Sequence, residues 1–201
     1  MLKNKKNMIK ALSSILIVSA LISGCGSENA HAETNVQNTQ TSTVQTQNSQ
    51  IESYFTRKDG NLDKVLIKEI NSAQKEIDIA IYTITKTDIA TAIVDAKKRN
   101  VDVKLIADKE SSQTKYEKTV LDLIKKNNIP VKVNSHEGLM HLKLTVIDGK
   151  TVLGGSYNYT KQATETNDEN LLVIRDTNIV TGYVSEFNTM WNDTANYTNY
   201  Q

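Results

Sequence analysis

Residues 141–158 read HLKLTVIDGKTVLGGSYN. Two apolar-rich runs flank an Asp-Gly dipeptide, and Asp-Gly between such runs is a strong hairpin signal. Strands over 141–147 and 151–155 are therefore expected to pair antiparallel. Alternate residues on a strand share a face, so His141, Lys143 and Thr145 point one way and Leu142, Leu144 and Val146 the other. The apolar set is expected to meet helices. An unpaired ammonium is costly to bury, so the His/Lys set must face a cleft or a partner. The return strand ends at Gly154-Gly155, and Ser156 and Asn158 follow. The turn folds residue 156 back near residue 141, so one end of the hairpin gathers an imidazole, an ammonium, a hydroxyl and a carboxamide. Gly154 and Gly155 let backbone approach a bound group closely.

Upstream of the hairpin, strands alternate with helices. Ile51–Thr56 reads as a short strand. Leu62, Val65, Leu66, Ile67 and Ile70 recur at helical spacing up to Ala73. Ile77–Tyr82 is a strand, and Asp88 is placed to cap a helix running through Lys98. Val101–Ala107 is a strand, Lys115–Lys126 a helix that Asn127-Asn128 can end, and Val131–Val133 a brief strand. Such alternation predicts right-handed crossovers. Downstream, Leu171–Ile174 reads as a strand and Thr177–Trp191 as a helix with Val180, Val184, Phe187 and Trp191 on one face. The expected fold class is α/β: one domain over 51–201 with a mixed, mostly parallel sheet sandwiched by helices.

The first 50 residues differ in kind. Lys3, Lys5, Lys6 and Lys10 precede an apolar run from Ala11 to Ile22, too short for the roughly 20 residues that span a bilayer and patterned as a secretion signal. Ile22-Ser23-Gly24-Cys25 resembles the lipobox of bacterial lipoproteins. That resemblance implies a signal peptide over 1–24, acylation of Cys25 and an anchor on the extracytoplasmic face of a bacterial membrane, where two or more acyl chains hold stably. Cys25 is the one cysteine, so its acylation leaves no thiol for a disulfide, a metal or a nucleophile. Residues 25–50 are rich in Asn, Gln, Thr and Ser, cannot bury enough apolar surface to fold, and are expected to be a disordered tether that includes an inert His31.

Charge narrows the function. Four of the 24 basic residues and two of the 23 acidic ones precede residue 51, leaving 20 against 21. A strongly basic body would mark a nucleic-acid binder; here any polyanion site must be a local patch. His136, Glu137 and His141 lie close enough in sequence to raise a metal site, but Lys143 would repel a cation. An anionic phosphoryl group suits the set better: Lys143 brings a point charge, Ser156 and Asn158 neutral donors, and His141 a nucleophile or acid/base.

These residues carry a resemblance. His141-x-Lys143-x4-Asp148 is similar to the HxKxxxxD signature of the phospholipase D superfamily. Gly154-Gly155-Ser156-Tyr157-Asn158 resembles its usual continuation, and Glu169 within Asn167-Asp168-Glu169-Asn170 its downstream acidic residue. The resemblance is closest to the small single-motif bacterial endonucleases of that superfamily and spans about Tyr54 to Trp191. It implies one active site built from two motifs, and this chain has one motif, so it implies a homodimer with a His141 from each subunit across one phosphate. It further implies a phosphohistidine on one His141, proton transfer by the other, charge neutralisation by Lys143 and Asn158 with help from Ser156, and Glu169 accepting from the second imidazole nitrogen. No cofactor or metal enters that scheme. Asp148 has the opposite strand parity to His141 and begins the turn, so a structural role is expected for it and Gly149. His136 is expected to be a solvated loop residue, and the Lys97-Lys98-Arg99 and Lys125-Lys126 runs solvated helix ends. The expected substrate is DNA, with RNA also open, cut without sequence preference because phosphate contacts carry no base information. Membrane phospholipid is the alternative substrate, and a non-catalytic polyanion binder the third reading.

Overall fold

The computed structural model describes residues 50–201. The expected signal peptide over 1–24, Cys25 and all but the last residue of the expected tether lie outside those residues. The elements run β1 (Ile51–Phe55), α1 (Thr56–Asp59), α2 (Leu62–Ser72), β2 (Glu76–Ile81), α3 (Thr87–Lys98), β3 (Asp102–Ala107), α4 (Lys115–Lys126), β4 (Val131–Asn134), β5 (Lys143–Ile147), β6 (Thr151–Gly155), α5 (Lys161–Glu165), β7 (Asn170–Ile174), α6 (Thr177–Asn192) and β8 (Tyr197–Asn199).

The strands form one mixed sheet in the order β1-β7-β6-β5-β2-β3-β4-β8, flanked by helices as expected. The balance of directions is not as expected. Only β2–β3 and β3–β4 are parallel; the other five pairs are antiparallel. The reason lies in the connections. Strand–helix alternation, which enforces parallel pairing, stops at β4. Residues 135–142 then carry the chain back so that β5 enters the sheet beside β2 in reverse, and the remaining strands extend from it by antiparallel pairing.

Both faces of the sheet are covered, which accounts for the nearly unbroken burial of β2, β3 and β5. On one face Ile77, Ile79, Ile81, Val103 and Leu105 pack with Leu66 and Ile70 of α2, Ile89 and Ile93 of α3, and Val120, Leu121 and Ile124 of α4. On the other, Leu144, Val146 and Val152 meet Val180, Phe187 and Met190 of α6. Burying each such side chain contributes about 1.5–3 kcal/mol. Asp88 does not cap α3: the helix begins one residue earlier, and the Asp88 carboxylate in the first turn accepts from Ile89 N. Asp176 does cap α6, accepting from Asn178 N and Ile179 N at 3.0 Å each.

Strand direction sets where a site can form. The carboxyl ends of β1, β2, β3 and β6 and the amino ends of β5 and β7 share one rim: Ile81 pairs with Lys143 and with Ala107, Gly155 with Leu171, and Phe55 with Asn170. In open α/β sheets such a rim is where ligands bind.

Candidate active site

His141 and Leu142 precede β5 rather than beginning it, a two-residue correction to the expected strand. The alternation of faces persists because Tyr82 N donates to Leu142 O at 2.8 Å, continuing the β2–β5 ladder past Lys143. From the other side, Met140 N donates to Asp108 Oδ2 at 2.9 Å, and the same buried carboxylate accepts from Glu110 N and Ser111 N through Oδ1. His141 is thus held between two fixed backbone positions.

Lys143 is 8% exposed, and its ammonium turns up toward His141. Nζ lies 3.0 and 3.1 Å from the imidazole Nδ1 and Nε2, donates to His141 O at 2.9 Å, and sits 4.8 Å above the centre of the Tyr82 ring. The Tyr82 and His141 rings are 4.4 Å apart, tilted by 50°. Burial holds the Lys143 ammonium below the usual lysine range, and the Glu169 carboxylate offsets part of that shift. Tyr82 was not singled out from the sequence; an aromatic residue at the carboxyl end of a buried strand was the available signal.

The return strand delivers the other half. Gly155 has φ 142, and a Cβ there would stand 2.5 Å from Asn170 O, so the position requires glycine. Gly154 carries no such demand: its nearest neighbour to a built Cβ is Lys143 O at 3.8 Å. The close approach at Gly155 lets Ser156 N donate to Asn170 Oδ1 at 3.0 Å while Asn170 N donates to Ser156 Oγ at 3.1 Å. Ser156 Oγ donates to Glu169 Oε2 at 2.5 Å, and Asn167 Nδ2 to Glu169 Oε1 at 2.9 Å. Glu169 is therefore engaged by Ser156 and Asn167 rather than by the His141 ring, unlike the partner expected for it; in this chain the imidazole nitrogens face Lys143. Thr56 clamps Glu169 from behind, its Oγ1 accepting from Glu169 N at 3.0 Å and its N donating to Glu169 O at 3.1 Å.

Asn158 lies between two buried tyrosines. Tyr159 N donates to Thr83 O, Thr85 N and Lys86 N donate to Tyr159 O, and the Tyr159 hydroxyl bonds Thr145 Oγ1 at 2.6 Å. Burial raises both the Tyr157 and Tyr159 phenols above their usual range, so they stay neutral anchors. The Asn158 Oδ1 is buried without a hydrogen-bond partner among the described residues.

His141, Lys143, Gly155, Ser156, Asn158 and Glu169 line one cleft of about 430 Å³. All five residues expected to do chemistry are among them. Asp148 lies at the far end of the hairpin. It and Gly149 have φ 53 and 61, as a type I′ turn requires, and its carboxylate accepts from the backbone N–H groups of Gln74, Lys75 and Glu76 at 2.7–3.2 Å. Burial pulls that carboxyl upward, but the three backbone donors outweigh it and its pKa is lowered. His136 lines a different hollow with Tyr197 and Asp193, away from His141. Lys97, Lys98, Lys125 and Lys126 occupy the last turns of α3 and α4. A second buried carboxylate, Glu117, supports the loop after β2: it accepts from Ile84 N at 3.2 Å and from Ser111 Oγ, which also bonds Thr83 Oγ1 at 2.8 Å. Burial pushes Glu117 up to about 7, with Ser111 and Ile84 N opposing and Asp108 adding to the rise.

Residues 66–191 match the family described as cardiolipin synthase, PLD-like domain. The chain is 31% identical over 128 residues to a mitochondrial cardiolipin hydrolase of Xenopus laevis, spanning 64% of this chain and 60% of the relative. It is 30% identical over 139 residues to a phospholipase D of Rickettsia bellii, spanning 69% and 68%. The match to the cardiolipin hydrolase of Chlamydomonas reinhardtii covers 54% of that relative's length, so the chain spans little more than half of some of the proteins it resembles. Among solved structures, Nuc of Salmonella typhimurium, a phospholipase D family member, superposes with a TM-score of 0.70 at 28% identity over 75% of this chain and 97% of that one. NucT of Helicobacter pylori gives 0.61 at 31% identity over 70% and 96%.

Proposed function

The chain belongs to the phospholipase D superfamily, and from that premise we propose that it is a metal-independent phosphodiesterase that cuts DNA, and RNA by the same chemistry, without sequence preference. One observation carries the reading: the cleft of His141, Lys143, Gly155, Ser156, Asn158 and Glu169 offers one imidazole beside an ammonium and neutral donors. In-line displacement needs a nucleophile and an acid on opposite sides of phosphorus, and the cleft holds one imidazole. A second copy of the chain supplies the other about a two-fold axis.

In this scheme one His141 nitrogen attacks phosphorus as the bond to the leaving oxygen breaks, and the partner subunit's His141 delivers a proton to that oxygen. The now neutral partner imidazole takes a proton from water, and the hydroxide displaces the first histidine, restoring both rings. Each proton transfer contributes about 10²–10⁴ in rate. Lys143 and Asn158 balance charge on the non-bridging oxygens. Ser156 assists them, and through its hydroxyl links Glu169 to the cleft. The lipid on Cys25 would hold the domain on the extracytoplasmic face of a bacterial membrane, so it should stay with the membranes after osmotic shock and be released by detergent.

A second reading is hydrolysis of membrane phospholipid, favoured by the names of the cardiolipin hydrolase and phospholipase D relatives. The full chain incubated in EDTA with plasmid DNA and, separately, with cardiolipin vesicles separates them. Nicking of DNA that disappears in His141→Asn is the expected result. Lipid hydrolysis with intact plasmid overturns it, and retention of DNA in a gel shift without cleavage points to a binder. Full activity from a sedimenting monomer would refute the shared site.

A further inference from the structure

A second cleft, of about 420 Å³, abuts the one holding His141 and shares Ser156 and Glu169 with it. Its other walls are Phe55, Arg57, Asp168 and Asn170. Phe55 ends β1 and is 42% exposed. Arg57 follows on α1, a turn fixed to Glu169 by the Thr56 bonds described above. An exposed phenyl ring and a guanidinium thus stand at a set position beside the proposed phosphate pocket.

We propose that this second cleft is a nucleotide subsite: the Phe55 ring takes an unstacked base next to the scissile phosphate, and Arg57 takes the following phosphate. The occupant rests on the nuclease reading, and it makes single-stranded nucleic acid the preferred substrate, because a base inside a duplex cannot lie on a protein ring. Base–aromatic stacking tolerates any sequence, since every base has a π-face. Arg57 is engaged by Asp168 Oδ1 at 2.5 Å and by Thr166 O at 3.3 Å. The Arg57 and Asp168 side chains are 71% and 76% exposed, so the pair contributes little and yields to a phosphate. Beyond α1 a third hollow carries Lys58, Lys64 and Lys68 along with Asp59. None of these lysines has a carboxylate within 4.0 Å among the described residues. A polynucleotide backbone leaving the subsite in that direction meets positive charge; a single phospholipid headgroup uses neither the ring nor this track.

The test is fluorescence anisotropy with the full chain carrying His141→Asn, a labelled oligothymidylate, a duplex of equal length and anionic phosphatidylglycerol vesicles. The single strand is expected to bind more tightly than the duplex. Phe55→Ala should weaken single-strand binding about tenfold, Phe55→Trp should retain it, and Phe55→Leu, apolar without a π-face, should not. Arg57→Ala should lower the salt dependence by about one phosphate contact. Unchanged affinity in Phe55→Ala, rescue by leucine equal to that by tryptophan, or absence of oligonucleotide binding overturns the proposal. Loss of vesicle binding alone in Phe55→Ala overturns it in favour of a lipid contact. Cleavage is read separately on the chain with His141 intact: ring-dependent binding without cleavage sinks the nuclease reading and spares the subsite.

Discussion

The two ends of the β5–β6 hairpin carry residues of the same short signature under opposite conditions. At the turn, Asp148 is an acceptor supplied in full: three backbone N–H groups converge on its carboxylate, and its pKa falls. At the open end, Lys143 Nζ bonds the His141 ring, Ser156 Oγ bonds Glu169, and all four border a cleft of about 430 Å³. The turn end spends its polar atoms on the fold. The open end turns its polar side chains toward a cleft that a ligand can enter. A motif can therefore join residues of two kinds, and whether a side chain ties distant backbone or borders the cleft tells them apart where spacing does not.

Substitutions can break this contrast. The largest effect is expected for His141→Asn, which should lower phosphodiesterase turnover by about 10³-fold or more while leaving the thermal midpoint within a few degrees; a matching loss of stability would place His141 in the fold instead. Gly155→Ala comes next. Its new methyl meets Asn170 O at a φ that L-residues rarely adopt, so a loss of about 2–4 kcal/mol in urea unfolding is expected, with activity falling too because Ser156 and Asn170 must part. Gly154→Ala is the control, and equal loss at both positions would contradict the close approach at Gly155. Asp148→Ala should cost about 1–3 kcal/mol yet leave turnover near normal well below the melting point. A large turnover defect in a folded Asp148→Ala protein would erase the distinction between the two ends.

The smallest effect sets Asp148 against Glu117, a carboxylate more buried and less well supplied. Because burial raises its folded pKa to about 7 from the 4.5 of a free glutamate, the native state holds its proton more tightly than the unfolded chain. Its contribution to stability is then full below pH 4.5, declines as pH rises from 4.5 to 7, and is lost above. Glu117→Gln should flatten denaturation midpoints across that window. Asp148 behaves in the opposite sense: its lowered pKa gives stability that is present above the usual carboxylate range and lost as pH falls through its folded value.

Legibility from sequence follows the same division between local and long-range causes. α2, α4 and the core strands were readable because each buries a periodic apolar face that a short window contains. α1, α5 and β8 were not: four residues of Thr-Arg-Lys-Asp or three of Tyr-Thr-Asn have no period, and they are held by distant partners such as Glu169 and Val133. The insertion of β5 beside β2 depends on tertiary pairing, and so the sheet was expected to be more parallel than it is. At the site, the membership of the cleft was legible from the motif and the turn that folds it. The partners of Glu169 were not, since Asn167 and Ser156 compete with the imidazole by geometry that spacing does not encode. Nor was Tyr82 or the Phe55–Arg57 cleft, whose residues are remote in sequence from the motif and join it only through β1 and β2.

The clamp between Thr56 and Glu169 also bears on the order of folding. Its partners stand 113 positions apart, and β1 reaches its place only by pairing with β7, near the end of the chain. Closing so long a loop carries an entropic cost that must be met before any contact rewards it. Local crossovers such as β2–α3–β3 can assemble early, whereas the rim that carries Glu169 and Phe55 must wait for the C-terminal third. A nascent chain therefore has no assembled cleft until its first strand finds one of its last.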